Sequence, residues 1–371
     1  MYNPGLLCRA ARYPIFNQME MTSSSLPATA QTLKEGTPRR VLIIGAGGFA
    51  GGFIVDEALR RGLEVWAGVR ESTSRKYLSD PRIRFLNFEF DDPEQVSRTL
   101  ADALPAGERW DWIVYNLGAT KCLRFSDFSR INYQYLRTFT EALEKTGLIP
   151  DKFIYMSSLS AIGPGDEKNY TPLTESMIPG PDTRYGASKL KSEMWLAMSG
   201  IPYIILRPTG IYGPRDHDYF LMFKSIAKGW DFSVGFRRQM LTFLYVEDLA
   251  RAVFDALEKA PVRETYNLAH PSVWTQSEFR SLVSKKIDKH IVIPMRMPIF
   301  AVRMACRVSE FIGAATGKPS TLNSDKFHIL RQRNWSVDIS KGIKDFGFSP
   351  QVDLPEGISR SVEWYRKEGW L

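Results

Sequence analysis

The chain has 371 residues, 44% of them hydrophobic and 24% charged, with a formal net charge of +8. That supplies a large core, argues for two lobes, and excludes a disordered chain or, with no uncharged apolar run of 18 residues, a membrane-spanning helix. The basic residues are interspersed with acids, so the charge points to phosphorylated ligands or an anionic membrane surface and not to nucleic acid.

In chain order, residues 1–38 come first, small, polar and turn-rich around "TSSSLPATAQTLKEGTP". They read as a floppy tail, or as a start placed upstream of Met19 or Met21. The stretch "RRVLIIGAGGFAGGF" (Arg39 to Phe53) follows. Its apolar run Val41–Ile44 predicts a buried parallel strand, and "EALRRG" continues a helix that Gly62 stops. The glycines between them fit two fingerprints, GxGxxA (Gly45, Gly47, Ala50) and GxxGxxG (Gly45, Gly48, Gly51). Either lets backbone N–H groups approach a pyrophosphate at a helix N-terminus.

Further predicted strands are Glu64–Val69, Ile83–Phe88, Trp112–Tyr115, Lys152–Met156 and Tyr203–Leu206. Predicted helices lie between them at Pro93–Leu104, Phe128–Lys145 and Tyr185–Met198. Such alternation means right-handed crossovers and a parallel sheet covered on both faces, a doubly wound α/β fold. After Pro208 the regularity breaks down, leaving a strand near Thr242–Tyr245, a helix over Val246–Leu257 and a mostly helical remainder. We therefore expect a nucleotide-binding lobe over 39–210, with 241–269 interleaved, and a smaller substrate lobe from 211–240 and 270–371. Three scattered cysteines (Cys8, Cys122, Cys306) suit a reducing, cytoplasmic setting, and no metal-ligand spacing occurs.

"RYGASKLKSEMW" places Tyr185 and Lys189 four residues apart, on one face of a helix. A neighbouring ammonium is expected to lower the phenol's pKa, making it a usable proton donor or acceptor. Upstream, "KFIYMSSLSAIG" ends a strand in serines, where open α/β sheets place their ligands.

With these motifs in order the chain resembles the extended branch of the short-chain dehydrogenase/reductase superfamily, over roughly Arg40 to Leu371. The resemblance selects GxxGxxG: Gly45 for the turn, Gly48 to admit the pyrophosphate, Gly51 to pack helix on strand, with Phe49 and Ala50 between. "VYNLGAT" matches the segment under the cofactor, giving Leu117, Gly118 and Ala119. Asn132 in "SRINYQ" matches the active-site asparagine, implied to hold a water that connects the lysine to solvent. Counting back from Gly163, the catalytic serine falls on Ser158 instead of Ser157 or Ser160. Tyr185 and Lys189 complete the tetrad: the tyrosine would move the proton, and the lysine would keep the phenol acidic and grip the nicotinamide ribose. "ILRPTGIYGPR", with Pro208, and "LTFLYVEDLARAV" match later signatures, as does the segment from Asn334 to Trp370.

For the cofactor, "EVWAGVRESTSRK" ends the second strand with Val69 and Arg70. A guanidinium there binds a 2′-phosphate that a carboxylate would repel, so NADP is expected, with Arg75 and Lys76 adding charge. Glu71 could instead take ribose hydroxyls, which leaves NAD open. Glu89 and Phe90 match the family's adenine contacts.

Two features bear on the substrate. Sugar-nucleotide epimerases commonly carry an asparagine where this chain has Gly210, and an Arg-Asp pair where it has Leu241 and Thr242. Arg237 and Arg238 lie close by as substitutes for the arginine. After Pro298, apolar Phe300, Met304, Val308, Phe311 and Ile312 alternate with Arg303, Arg307 and Glu310, a helix able to pack as an ordinary amphipathic helix on the substrate lobe, to cover an apolar substrate, or to lie on a membrane through residues 298–315. The expectation is an NADP-dependent ketone reductase or alcohol dehydrogenase acting on a hydrophobic, lipid- or sterol-like carbonyl, nearest the 3β-hydroxysteroid dehydrogenase and dihydroflavonol reductase type. The alternative is a nucleotide-sugar epimerase or dehydratase. A homodimer is the expected assembly.

Overall fold

The computed structural model describes residues 38–316 and 322–371. The expectations for residues 1–37 lie outside the described residues. The chain runs β1 (Arg40–Ile44), α1 (Phe49–Arg60), β2 (Glu64–Val69), β3 (Arg84–Asn87), α2 (Pro93–Asp102), β4 (Trp112–Tyr115), α3 (Phe125–Ser129), a π-helical turn (Arg130–Gln134), α4 (Tyr135–Thr146), β5 (Lys152–Met156), α5 (Arg184–Met198) and β6 (Tyr203–Pro208). It continues through β7 (Gly210–Tyr212), α6 (Asp218–Ala227), β8 (Trp230–Val234), β9 (Met240–Leu241), β10 (Phe243–Tyr245), α7 (Val246–Lys259), β11 (Glu264–Leu268), β12 (Trp274–Thr275), α8 (Gln276–Ile287), β13 (Ile293–Met297), α9 (Ile299–Thr316), α10 (Ser324–Arg331), α11 (Ser340–Phe346) and α12 (Leu354–Lys367).

Seven parallel strands form the central sheet in the order β11-β6-β5-β4-β1-β2-β3. Strands buried on both faces need apolar residues at every position, and β1 shows why: Val41 and Ile43 join one core, Leu42 and Ile44 the other. Helices α1 and α7 close the first face, α2 and α4 the second. The order reverses between β1 and β4, and open α/β sheets bind ligands in the crevice at such a point.

The seventh strand, β11, returns from beyond residue 241 to extend the sheet past β6. A separate aromatic cluster, including Tyr212, Phe223, Phe243, Phe279 and Tyr365, forms the C-terminal lobe. The sequence reading missed the parallel ribbon β8–β13, because its strands are only five residues long and lie about sixty residues apart.

Candidate active site

The site is built at the C-terminal edge of the sheet. Gly45 leaves β1 with φ +80, and a β-carbon on it would lie 2.8 Å from the Leu117 nitrogen. A β-carbon on Gly51 would lie 2.2 Å from the Gly45 carbonyl oxygen, so α1 approaches the turn only because that residue is bare. Gly48 is the N-cap of α1, and no side chain caps the helix or places an acid in its first turn. A β-carbon there would have only the Gly45 oxygen within 4 Å, at 3.3 Å. The result is an open cradle of backbone N–H groups at the positive end of a helix dipole, a fit for a dinucleotide's pyrophosphate.

The charged loop after β2 divides differently from expectation. Arg75 stacks over the Phe85 ring at 4.2 Å, and Lys76 pairs with Glu368 at 3.1 Å. Arg70 and Glu71 are exposed, and neither has an ion-pair partner among the described residues. The Phe90 ring stacks on Phe88 and Tyr135 inside the core, which leaves the main chain of this residue for an adenine. An aromatic ring gains more from that packing than from exposure at a strand end. Glu89 is exposed.

Tyr185 lies in the first turn of α5. Thr183 caps that helix by accepting from the Gly186 N–H at 2.9 Å, and the Tyr185 N–H donates to Asp325 at 2.9 Å. Ser158 leaves β5 in extended conformation, its hydroxyl accepts from the Ser160 N–H at 3.2 Å, and it lies near enough to the Tyr185 phenol to lower that group's pKa. Ser157 is engaged elsewhere: its hydroxyl donates to buried Glu193. The two adjacent serines thus separate, one toward the tyrosine and one beneath it.

Lys189, 3% exposed, donates from Nζ to the Met156 carbonyl at 2.8 Å. The same nitrogen and Asn132 Oδ1 border Gly118, where a β-carbon would lie 2.9 and 3.2 Å from them. Burial drives the Lys189 pKa down to about 7, against a smaller upward pull from Glu193. Burial also drives the Tyr185 phenol up to about 12, opposed by the nearby Ser158 hydroxyl. This corrects the expectation of an acidified phenol. In a dry pocket both charged forms are disfavoured, and Lys189 does not lower its neighbour.

Asn132 sits in the π-helical turn, a local widening often found at functional sites. Its Oδ1 accepts from the Ala119 N–H at 2.7 Å, and its Nδ2 donates to the Ala119 carbonyl and to Ser188 Oγ. Ser192 Oγ occupies its main-chain carbonyl. With both amide hydrogens engaged, Asn132 ties the loop after β4 to α5. The expected water-holding role has only its remaining acceptor capacity to use.

Two ion pairs were missed. Glu193, one further turn along α5, forms a two-pronged ion pair with Arg207 of β6, and both are almost fully buried. The signal was available: Glu193 continues the four-residue spacing of Tyr185 and Lys189, and Arg207 interrupts the apolar run "YIIL". Lys121, in the loop after β4, pairs with Asp218 of α6 and so ties the sheet's edge to the C-terminal lobe.

On the substrate side, a β-carbon on Gly210 would sit 1.9 Å from the Tyr219 hydroxyl, which fills the place an asparagine side chain would take. Thr242 is buried, with its hydroxyl donating to the Trp335 carbonyl, and Leu241 pairs with Trp274 across β9–β12. Arg237 and Arg238 are exposed. Pro208 is buried at the end of β6, opposite Leu268.

Residues 41–269 match the model of the NAD-dependent epimerase/dehydratase family. The chain belongs to this family. It is therefore an enzyme of the short-chain dehydrogenase type, and its relatives diverge in activity. A ceramide reductase of Caulobacter vibrioides is 24% identical over 338 residues, covering 89% of this chain and 96% of the relative. A dTDP-glucose 4,6-dehydratase of Neisseria meningitidis serogroup B is 22% identical over 358 residues, covering 88% and 93%. Among solved structures, the UDP-glucose 4-epimerase of Thermus thermophilus in complex with NAD superposes with a TM-score of 0.70 at 21% identity, covering 88% of this chain and 99% of that one. The shared family leaves the substrate to be argued from the pocket.

Proposed function

We propose that this family member is an NADP-dependent reductase, or alcohol dehydrogenase, of a hydrophobic lipid-like ketone. The observation that carries the reading is the substrate side of the pocket. Where a nucleotide sugar would need polar contacts for its diphosphate, this chain has Leu241, an inward-turned Thr242 and a Gly210 position filled by Tyr219. A charge-assisted contact is worth about 1.5–3 kcal/mol, whereas a leucine fully buried against hydrocarbon contributes about the same in the opposite context. The ceramide reductase relative supports a long-chain lipid substrate.

The roles follow from the geometry. A bound nicotinamide supplies or receives the hydride. Ser158 and Tyr185 would hydrogen-bond the substrate's carbonyl oxygen, and Tyr185, protonated at neutral pH because burial raises it to about 12, donates the proton. Lys189, poised at about 7 beside bare Gly118, would bond the ribose and return a proton to the phenol. Glu193 and Arg207 hold Lys189's helix against β6 from below. Arg70, exposed after β2 with no ion-pair partner among the described residues, would hold a 2′-phosphate and so favour NADP, while the solved epimerase neighbour carries NAD.

The runner-up is a nucleotide-sugar epimerase or dehydratase, favoured by the dehydratase relative and by exposed Arg237 and Arg238 near β9. Eliminating a hydroxyl, however, requires a proton donor beside the tyrosine. The turn after Ser158 offers Leu159, Ser160 and Ala161, none of them acidic, and the neighbouring carboxylate of Asp325 is engaged by the Tyr185 main-chain N–H. Calorimetry with NADP(H) bound tests the choice: UDP- and dTDP-sugars should show negligible heat, and micromolar binding of either would reverse the order of the two readings.

A further inference from the structure

Helix α9 is inverted relative to an ordinary surface helix. Val302 and Cys306 face the protein, packed with Val234 and Phe327, while Phe300 and Phe311 are 70% and 76% exposed. At 100° per residue, Phe300, Met304, Val308 and Phe311 fall within an arc of about 80°, all of them on the outer side. The ribbon β8–β13 repeats the pattern. Its cross-strand pairs Trp230–Ile293 and Phe232–Met295 are all exposed. The loop after β8 joins the two parts, with Gly235 lying against Ile299 and Phe236 68% exposed beside it. Single exposed apolar residues are ordinary, but two adjoining elements that both turn their largest side chains outward form an interaction surface.

The charges around this surface identify its occupant. Arg237, Arg238, Arg296, Arg303 and Arg307 are exposed, and none forms an ion pair among the described residues. The one acid on α9, Glu310, accepts from the N–H and hydroxyl of Ser324, at the start of α10. A second copy packed about a two-fold axis would set these arginines against one another, whereas phosphate head groups would neutralise them as the aromatic side chains enter the acyl boundary. No helix among the described residues is long and apolar enough to cross a membrane, so the contact is interfacial. We propose that α9, the β8–β13 ribbon and the Phe236 loop form one docking face for an anionic bilayer. The face adjoins the site: Ser324, bonded to Glu310 of α9, precedes Asp325, which holds the Tyr185 N–H. An apolar substrate leaving the bilayer thus has a short path to the tyrosine. That last step rests on the proposed lipid-like substrate; the docking itself does not.

The test is co-sedimentation of the full chain with phosphatidylcholine vesicles, with and without phosphatidylglycerol at about one lipid in three. The protein should pellet with the anionic vesicles. Phe300→Ser with Phe311→Ser should weaken that partitioning by about tenfold or more. Arg303→Glu with Arg307→Glu should remove the preference for anionic lipid, each arginine being worth about fivefold. Melting temperatures should be unchanged, since these side chains are exposed. Protein that stays in the supernatant with anionic vesicles, or a double-Ser variant that pellets like wild type, overturns the proposal. So does a concentration-dependent dimer, seen by light scattering and lost in the same variant, which would give the face to a second copy. Ketone reduction in detergent solution reports on the proposed activity separately, and should survive the double-Ser change.

Discussion

Helices α1 and α9 were both expected from the sequence, the second as an amphipathic stripe, yet they use their apolar residues in opposite ways. In α1 the residues Phe53, Ile54, Val55, Ala58 and Leu59 are buried against the sheet, and the bare face of Gly51 lets the helix approach the turn. In α9 the small Val302 and Cys306 are buried and the large side chains face outward. Periodicity identifies a stripe; it does not say whether the stripe meets the core or something outside the chain. The first helix carries the fold and the cradle at its N-terminus, and the second would carry the proposed contact with a bilayer.

The largest effect is expected at Tyr185, on α5. Tyr185→Phe removes the proposed proton donor and should lower turnover by about 10²–10⁴, with NADP(H) affinity nearly unchanged in a binding titration. Ser158→Ala should impair turnover, whereas Ser157→Ala should mainly lower stability by exposing the Glu193–Arg207 pair to an unfilled partner; the opposite pattern would move the serine's role. Next comes Gly51→Ala, whose β-carbon would meet backbone oxygen and must push α1 from the sheet. It should destabilise the chain by about 3 kcal/mol or more in denaturant unfolding, while Phe300→Ala on α9 should change stability by less than about 0.5 kcal/mol.

Arg70→Asp follows, with an expected loss of about 2–4 kcal/mol in NADPH binding and much less for NADH. If wild type already binds both cofactors equally, Glu71 carries the ribose instead. The smallest effect concerns Lys189. Its folded pKa of about 7 lies below the unfolded value of ~10.4, so its burial penalty is fully present below pH 7 and is relieved as pH rises toward 10. Lys189→Met should therefore raise the melting temperature near pH 6–7 by several degrees, and the gain should shrink as pH rises, while activity is lost. A variant equally or less stable at pH 6 would mean the lysine is better solvated than its surroundings indicate.

Much of this was legible in the sequence, for identifiable reasons. The first six strands were apolar runs bounded by turn signals, and the Gly45–Gly51 turn has a fingerprint because backbone conformation restricts it to glycine. Tyr185 and Lys189 announced themselves by helical spacing. What was hidden depends on contacts between distant segments. The five residues of β11 do not reveal that they will extend the sheet past β6, and nothing near Gly210 says that Tyr219 will fill its side. The phenol's acidity was misjudged because spacing shows which groups are neighbours but not how dry their pocket is.

The central claim is that this site transfers hydride to a hydrophobic ketone. Its most direct test is incubation of the purified chain with NADPH deuterated at both C4 positions and a long-chain keto-lipid in mixed micelles, followed by mass spectrometry of the lipid. The account predicts a deuterium-bearing alcohol formed in proportion to NADPH consumed. No deuterated alcohol from such ketones, together with epimerisation or dehydration of a nucleotide sugar without net cofactor turnover, would contradict it.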